Sequence, residues 1–120
     1  MKPNILIVDD EYSVSFSLTS ILTMHGYGVM SANTAKEAID LIKNNDFDIA
    51  FFDIKLSEMN GVELLKEVKK FNTTLSVIMM TAYADNSLIE EALKENAVIC
   101  LRKPFKIPKL LELLKKLIKK

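Results

Sequence analysis

Ile5-Leu6-Ile7-Val8-Asp9-Asp10 places four apolar residues directly before two adjacent acids. A run without polar alternation is typical of a strand that is buried on both faces of a parallel sheet. Open α/β sheets bind ligands at the carboxyl ends of such strands, which is where the two acids lie. Two neighbouring carboxylates repel each other unless they share a cation, and Mg²⁺ takes one or two protein carboxylates together with water. The pattern therefore predicts a strand that ends in a magnesium site, with capping of the following helix as the alternative role for both acids.

A second apolar run ends in the same way. Ile49-Ala50-Phe51-Phe52 is followed at once by Asp53. Because parallel strands bring their carboxyl ends to one edge of a sheet, Asp53 is expected beside Asp9 and Asp10. The repetition favours a magnesium-binding edge, and an ordinary acid at the start of a loop is the alternative for Asp53.

Short apolar runs and amphipathic segments alternate along the chain. The runs predict five strands, at Ile5–Val8, Val29–Ala32, Ile49–Phe52, Val77–Met80 and Val98–Leu101. The segments between them predict five helices. The first ends with a C-cap at Gly26, the second and fourth begin with capping boxes at Thr34 and Ser87, the third starts after Gly61, and the last has Pro108 in its first turn. Strict alternation implies right-handed crossovers with helices on both faces of the sheet. The predicted fold class is α/β, a flavodoxin-like doubly wound five-stranded parallel sheet in the order 2-1-3-4-5 with five helices.

Length and composition favour a single domain over residues 1–120, since a chain of 120 residues buries one core. The 16 basic and 16 acidic residues balance, which gives no reason to expect direct nucleic-acid binding or a membrane partner. No apolar run approaches the roughly 20 residues of a membrane span, and the start lacks the apolar region of a signal peptide. Cys100 is the only cysteine, so no internal disulfide can form, which agrees with a cytoplasmic location.

Two further motifs follow the fourth and fifth predicted strands. Thr81-Ala82 comes directly after the fourth, and Lys103-Pro104-Phe105 lies just beyond the fifth. Together with the acid pair and Asp53, in this order and spacing, they make the chain resemble the receiver domain of two-component response regulators. The resemblance covers essentially the whole chain. Among receivers, the chain is similar to stand-alone phosphorelay receivers.

The resemblance implies a role for each of these residues. Asp53 would be the nucleophile that takes a phosphoryl group from a phosphohistidine, and the chain would catalyse only its own phosphorylation and dephosphorylation. Mg²⁺ would be held by Asp9, Asp10, Asp53 and the backbone carbonyl of Lys55. The Lys103 ammonium and the Thr81 hydroxyl would bind the other phosphoryl oxygens. A cis peptide bond before Pro104 would aim the lysine inward.

The resemblance also implies the partners. A histidine kinase or a histidine phosphotransfer protein would bind the first helix, where helical spacing predicts that Ser13, Ser17 and Ser20 are exposed. The chain would be a monomer or a weak homodimer. Two alternatives stay open: an excised receiver of a longer DNA-binding or enzymatic regulator, and a binding module that works without phosphorylation.

The chain departs from the usual receiver pattern in three ways, which involve four residues. Cys100 stands where most receivers have an aromatic residue, so we expect the fourth helix and fifth strand to respond weakly to phosphorylation. Ser57 stands where the loop after the phosphorylation site often has proline, which predicts a freer loop. Lys55 and Tyr83 flank the phosphoryl position and could exclude water from it, as in phosphorelay receivers; exposed side chains without a kinetic role are the alternative.

Overall fold

Strands and helices alternate along the chain as predicted. A computed structural model describes residues 2–82 and 86–118. The strands are β1 (Asn4–Val8), β2 (Gly28–Ala32), β3 (Ile49–Asp53), β4 (Ser76–Thr81) and β5 (Ile99–Arg102). The helices are α1 (Tyr12–Met24), α2 (Ala35–Asn44), α3 (Gly61–Lys69), α4 (Asn86–Lys94) and α5 (Ile107–Ile118).

All strand pairs are parallel, and the order across the sheet is β2-β1-β3-β4-β5. This confirms the predicted flavodoxin-like topology. Val8 of β1 lies opposite Phe52 of β3, and Asp53 lies opposite Met80 of β4. The carboxyl ends of these three central strands therefore lie side by side, because parallel pairing in this register aligns them.

Both faces of the sheet are covered, which explains the unbroken apolar runs. On β1, Ile5 and Ile7 pack with residues of α1 and α5, whereas Leu6 and Val8 pack with residues of α2 and α3. Side chains alternate between the faces of a strand, so a strand between two helical layers needs apolar residues at every position. The four residues Ile5 to Val8 are fully buried, as this arrangement requires.

Several boundaries and caps differ from the prediction. Each strand begins or ends one residue away from its predicted bounds, for example at Asn4 and Asp53. The predicted capping box at Ser87 is wrong, because α4 already begins at Asn86 and Ser87 lies within its first turn. At α2, Thr34 Oγ1 accepts the Glu37 N–H as predicted, but the Glu37 carboxylate accepts the N–H of Asn33 instead of closing a capping box.

One cap is shifted by one residue: the C-cap of α1 is His25, and the predicted Gly26 follows it with φ of +90°. Other local predictions are confirmed. Pro108 is the second residue of α5. The Lys103–Pro104 peptide bond is cis. Ser13, Ser17 and Ser20 are exposed on α1. Within residues 2–82 and 86–118, no helix has both the length and the apolar character that crossing a membrane requires.

Candidate functional site

Three acids meet at the carboxyl edge of the sheet. Carboxylate oxygens of Asp9, Asp10 and Asp53 all lie within 4.8 Å of one another. Asp9 is fully buried and Asp53 is 5% exposed, while Asp10 is open to solvent. The sequence prediction that these acids come together is thus confirmed by the geometry. Such an oxygen-only cluster suits a hard cation such as Mg²⁺, which prefers carboxylate and water ligands.

Lys103 lies against the two buried acids. Its Nζ donates to Asp9 Oδ2 at 2.8 Å and to Asp53 Oδ2 at 3.0 Å, and it lies 3.6 Å from Glu11 Oε1. The backbone N–H of Lys103 donates to the Thr81 carbonyl at 2.8 Å, which fixes the main chain next to the cis Pro104 bond. A buried carboxylate pair is costly unless a cation offsets it, so this ammonium is the counter-charge that the protein itself supplies to the two acids.

The site shifts the pKa of two of its groups. Burial raises the pKa of Asp53 from 3.8 to about 6, and the Asp9 charge adds to this, although hydrogen bonds from Lys103 and from the Lys55 backbone oppose it. Burial alone would lower the pKa of Lys103, but hydrogen bonds to Asp9 and Asp53 outweigh it, so the lysine pKa is raised. The lysine is therefore charged at neutral pH, and Asp53 takes up a proton at a higher pH than an ordinary aspartate does.

Backbone amides hold the other oxygens of the buried acids. The Glu11 N–H donates to Asp9 Oδ1 at 2.8 Å, and the Lys55 N–H donates to Asp53 Oδ1 at 3.1 Å. The Ile54 N–H donates to the Met80 carbonyl at 2.9 Å, which extends the β3–β4 ladder one residue past Asp53. Each carboxylate is thus bonded at both oxygens, and its orientation is fixed before any ligand arrives.

The chain returns very close to Asp53 at the start of α3. The Gly61 N–H donates to the Ile54 carbonyl at 2.8 Å, and a Cβ at position 61 would lie 2.2 Å from the Asp53 carbonyl oxygen. Asn60 caps α3 with a reciprocal capping box, in which its side chain accepts the Glu63 N–H and the Glu63 carboxylate accepts the Asn60 N–H. Only glycine allows this approach of helix and strand end, so Gly61 is part of the site's construction.

A cavity of about 540 Å³ opens above the acids. Its lining includes Asp10, Asp53, Lys55, Ala82 and Lys103. Thr81, at the end of β4 next to this lining, is 3% exposed, and Lys55 is exposed at the rim. The fold thus places every predicted site residue that the structure describes at the carboxyl edge of the sheet. Tyr83, which we paired with Lys55, lies outside the described residues.

Sequence reasoning missed four residues that contribute to the site. Glu11 is the N-cap position of α1 and lines the cavity together with Lys103, but a third consecutive acid drew no separate prediction. Asn60 with Glu63 carries the capping-box spacing and could have been found from it. Glu58 accepts a hydrogen bond from Ala35 of α2 across 23 positions of sequence, and no local pattern signals such a contact.

The structure gives the positions of Cys100 and Ser57, two of the residues that depart from the usual receiver pattern. Cys100 is half-buried in β5, and burial raises the pKa of its thiol although the nearby charge of Arg102 opposes this. The thiol is therefore protonated at neutral pH, as expected for a space-filling cysteine. Ser57 is exposed in the loop that lines the cavity.

Comparisons with known proteins agree on one family. A family model described as the response regulator receiver domain matches residues 5–115. The transcriptional regulatory protein ZraR of Klebsiella oxytoca is 40% identical over 107 residues, which cover 89% of this chain but only 24% of ZraR. Sporulation initiation phosphotransferase F of Bacillus subtilis is 33% identical over 116 residues, which cover 97% of this chain and 94% of that protein.

Solved structures give the same result for the fold. A CheY-like receiver domain from Methanospirillum hungatei has a TM-score of 0.93 at 38% identity, covering 97% of this chain and 93% of its own. The response regulator TrrA of Thermotoga maritima, solved in complex with Mg²⁺–BeF, has a TM-score of 0.87 at 29% identity, covering 98% of this chain and 100% of its own. Fold, sequence and the acid–lysine site agree, and the chain belongs to the response regulator receiver domain family, the phosphoacceptor modules of two-component signalling.

Proposed function

We propose that Asp53 is the residue of this receiver that accepts the phosphoryl group. The observation that carries the proposal is the position of its carboxylate, buried within 4.8 Å of Asp9 and Asp10 oxygens and bonded to Lys103 at 3.0 Å. In the transfer, an Asp53 carboxylate oxygen bonds to phosphorus while the bond between phosphorus and the histidine nitrogen breaks. The electron pair of that bond stays on the imidazole, which takes a proton from solvent. The product is an acyl phosphate.

The surrounding residues supply charge and position rather than covalent chemistry. Asp9, Asp10 and Asp53, with the backbone carbonyl of Lys55, would hold Mg²⁺, which when bound neutralises charge on the phosphoryl oxygens. The Lys103 ammonium already lies beside the accepting carboxylate and offers its charge to a second oxygen. The Thr81 hydroxyl, at the end of the adjacent strand, serves the third. The acids and the lysine are preorganised, so they need little rearrangement before transfer. Such preorganisation is the main source of electrostatic catalysis.

The phosphodonor would dock on α1, the helix that starts beside the acids. No residue from Tyr12 to Met24 is charged, and Ser13, Ser17 and Ser20 present small polar side chains to solvent. An open groove of about 570 Å³ runs from this helix to the loop at Pro104 and Phe105 and reaches Lys103. An uncharged helix surface beside the nucleophile suits a helix of a histidine kinase or a histidine phosphotransfer protein. We propose that the receiver meets this partner as a monomer or a weak homodimer.

Intact-mass measurement after incubation with Mg²⁺ and acetyl phosphate tests the proposal. We expect one phosphoryl adduct on the parent chain, none on Asp53→Asn, and none when EDTA removes the metal. Asp40→Asn is the matched control, because Asp40 is exposed on α2 and is not one of the acids of the cluster, and it should be phosphorylated normally. An adduct that persists in Asp53→Asn would overturn the assignment. No adduct even with a phosphorylated histidine donor would favour a binding module that works without phosphorylation.

The similarity to a stand-alone phosphotransferase and to a much longer regulator leaves two versions of the output. Lys55 favours the relay version, because its exposed side chain lies at the rim of the cavity above Asp53 and can shield an acyl phosphate from water. In this version Lys55→Ala, alone or with Tyr83→Ala, shortens the phosphate lifetime severalfold. Lys36→Ala, at an exposed position of α2, should leave the lifetime unchanged. Equal decay in all variants would favour the receiver of a longer regulator.

A further inference from the structure

Glu58 links the loop after Asp53 to a different part of the molecule. Its Oε1 accepts the backbone N–H of Ala35 at 3.1 Å. Ala35 is the first residue of α2 and is buried, and the first N–H groups of a helix have no partner within the helix. A carboxylate at this position is also favoured by the helix dipole. Glu58 therefore caps α2 from outside its own segment of sequence.

Apart from this bond, two hydrogen-bonded points lie near the ends of the loop from Ile54 to Asn60, and Leu56 and Met59 pack against the core. At its start, the Lys55 N–H donates to Asp53 Oδ1, and at its close, Asn60 caps α3 and the Gly61 N–H returns to the Ile54 carbonyl. Between these points lies Ser57, which is exposed and has no ring to restrict its backbone. The bond from Glu58 ties this middle part of the loop to α2.

We propose that Glu58 is a positioning residue for phosphoryl transfer to Asp53. By tying the loop to α2, it holds the Lys55 backbone where its N–H meets Asp53 and where its carbonyl can face the acid cluster. This inference rests on the proposed role of Asp53. It adds the hydrogen bond between Glu58 and Ala35 to the contacts that hold the loop after Asp53. The acceptor, rather than the negative charge, carries the effect, because the bond is made by one carboxylate oxygen to one amide.

Two substitutions at Glu58 and one at Thr34 separate loop positioning from helix stability. Glu58→Ala removes the acceptor, whereas Glu58→Gln keeps an oxygen at the same reach. Thr34→Ala removes the other side-chain cap of α2, the bond from the Glu37 N–H to Thr34 Oγ1, without touching the loop. Glu58→Ala and Thr34→Ala should lower the melting temperature by similar amounts, since each deletes one cap bond of the same helix.

Phosphorylation rates as a function of Mg²⁺ concentration then give the decisive comparison. We expect Glu58→Ala to need more Mg²⁺ for half-maximal rate and to react roughly tenfold more slowly, because small displacements of a catalytic geometry are costly. Glu58→Gln should regain most of the parent rate, and Thr34→Ala should match the parent. A parent rate in Glu58→Ala, or an equal loss in Thr34→Ala, would overturn the proposal.

Amide hydrogen exchange in the metal-free protein tests the same tether without using phosphorylation. The amides of residues 55–59 should exchange faster in Glu58→Ala than in Glu58→Gln or Thr34→Ala. If the parent chain takes up no phosphoryl group, the role of Asp53 fails, and this measurement still decides whether Glu58 holds the loop. Unchanged loop protection in Glu58→Ala would contradict the tether.

Discussion

Gly61→Ala is the substitution for which the structure gives the sharpest prediction. The added Cβ would lie 2.2 Å from the Asp53 carbonyl oxygen, 2.9 Å from its carbonyl carbon and 3.0 Å from Met79 Cε. A relaxed carbon–oxygen contact is about 3.3 Å, so the two segments must separate by about 1 Å. The atoms that the methyl group meets first belong to the backbone of a buried strand end, which cannot rotate away as a side chain can.

Both stability and phosphorylation should suffer. Overpacking a well-packed interior costs about 1–3 kcal/mol, and the rigid neighbour places this variant at the upper end, about 3 kcal/mol. For a chain of 120 residues this corresponds to a melting temperature lower by roughly 10 °C. A displacement of about 1 Å at Asp53 should also slow phosphorylation by about a hundredfold.

The other two glycines provide matched controls for urea denaturation and the intact-mass rate assay. At Gly28 a Cβ would lie 2.6 Å from Asn4 Oδ1, the end of a side chain that can turn aside, so Gly28→Ala should cost less than about 1 kcal/mol. At Gly26 no atom lies within 4 Å, but φ is +90°, so Gly26→Ala should cost about 1 kcal/mol. Both controls should be phosphorylated at the parent rate.

The reasoning would be refuted if the free energy of unfolding of Gly61→Ala were within about 0.5 kcal/mol of that of the parent. It would also be refuted if the variant were destabilised yet phosphorylated at the parent rate, because the backbone of Asp53 would then have kept its place. Similar losses of phosphorylation in all three alanine variants would point to general destabilisation instead.

Substitutions at three further positions test the charges of the site and one helix end. Lys103→Ala removes the cation bonded to Asp9 and Asp53, so urea denaturation in EDTA should show a loss of about 3 kcal/mol, part of which Mg²⁺ restores. Because burial raises the pKa of Asp53 from 3.8 to about 6, the folded metal-free protein binds this proton more tightly than the unfolded chain, and stability falls as the pH rises through that range. Asp53→Asn should therefore stabilise the metal-free protein by about 2–3 kcal/mol near about pH 8 and hardly at all near about pH 4, in urea titrations at both pH values. Asn96 has φ of 72°, so thermal melts should show Asn96→Ala destabilised by about 1 kcal/mol and Asn96→Gly at least as stable as the parent.

Each of these predictions has a contradicting result. A Lys103→Ala protein as stable as the parent in EDTA would mean that the buried acids do not need the ammonium. An Asp53→Asn variant whose gain in stability does not change with pH would remove the raised pKa as its cause. Equal melting temperatures for the alanine and glycine variants at position 96 would show that the left-handed backbone there carries no strain.

The strands and the acid cluster could be predicted because their signals are local. Four consecutive apolar residues before Asp9 report a strand buried on both faces, and chain order then fixes which strand ends meet. The start of α4 could not be fixed in this way. Asn86 and Ser87 are both residues that cap helices, and the spacing from Ser87 to Glu90 fits a capping box whether or not the helix begins there.

The contacts that complete the site are set by tertiary packing. The sequence predicts a helix that starts just after Gly61, and α3 begins at Gly61 itself, but the approach of this glycine to the Asp53 carbonyl depends on how α3 lies against β3. The bond from Glu58 to Ala35 joins two segments that only the folded chain brings together. The hydrogen bonds from Lys103 to both Asp9 and Asp53 likewise depend on the turn that follows β5. Periodicity reports which face of an element is buried, but it carries no information on such pairings.

The ammonium of Lys103 has a consequence for how the molecule is made. It neutralises acids that precede it by 94 and 50 residues, so a chain growing from its amino end exposes Asp9 and Asp53 long before their counter-charge exists. Until β5 joins the sheet, burying both carboxylates carries an uncompensated electrostatic penalty that holds this edge open to water. Completion of the phosphoacceptor site and completion of the sheet are therefore one event, and a fragment that stops short of the fifth strand should have neither.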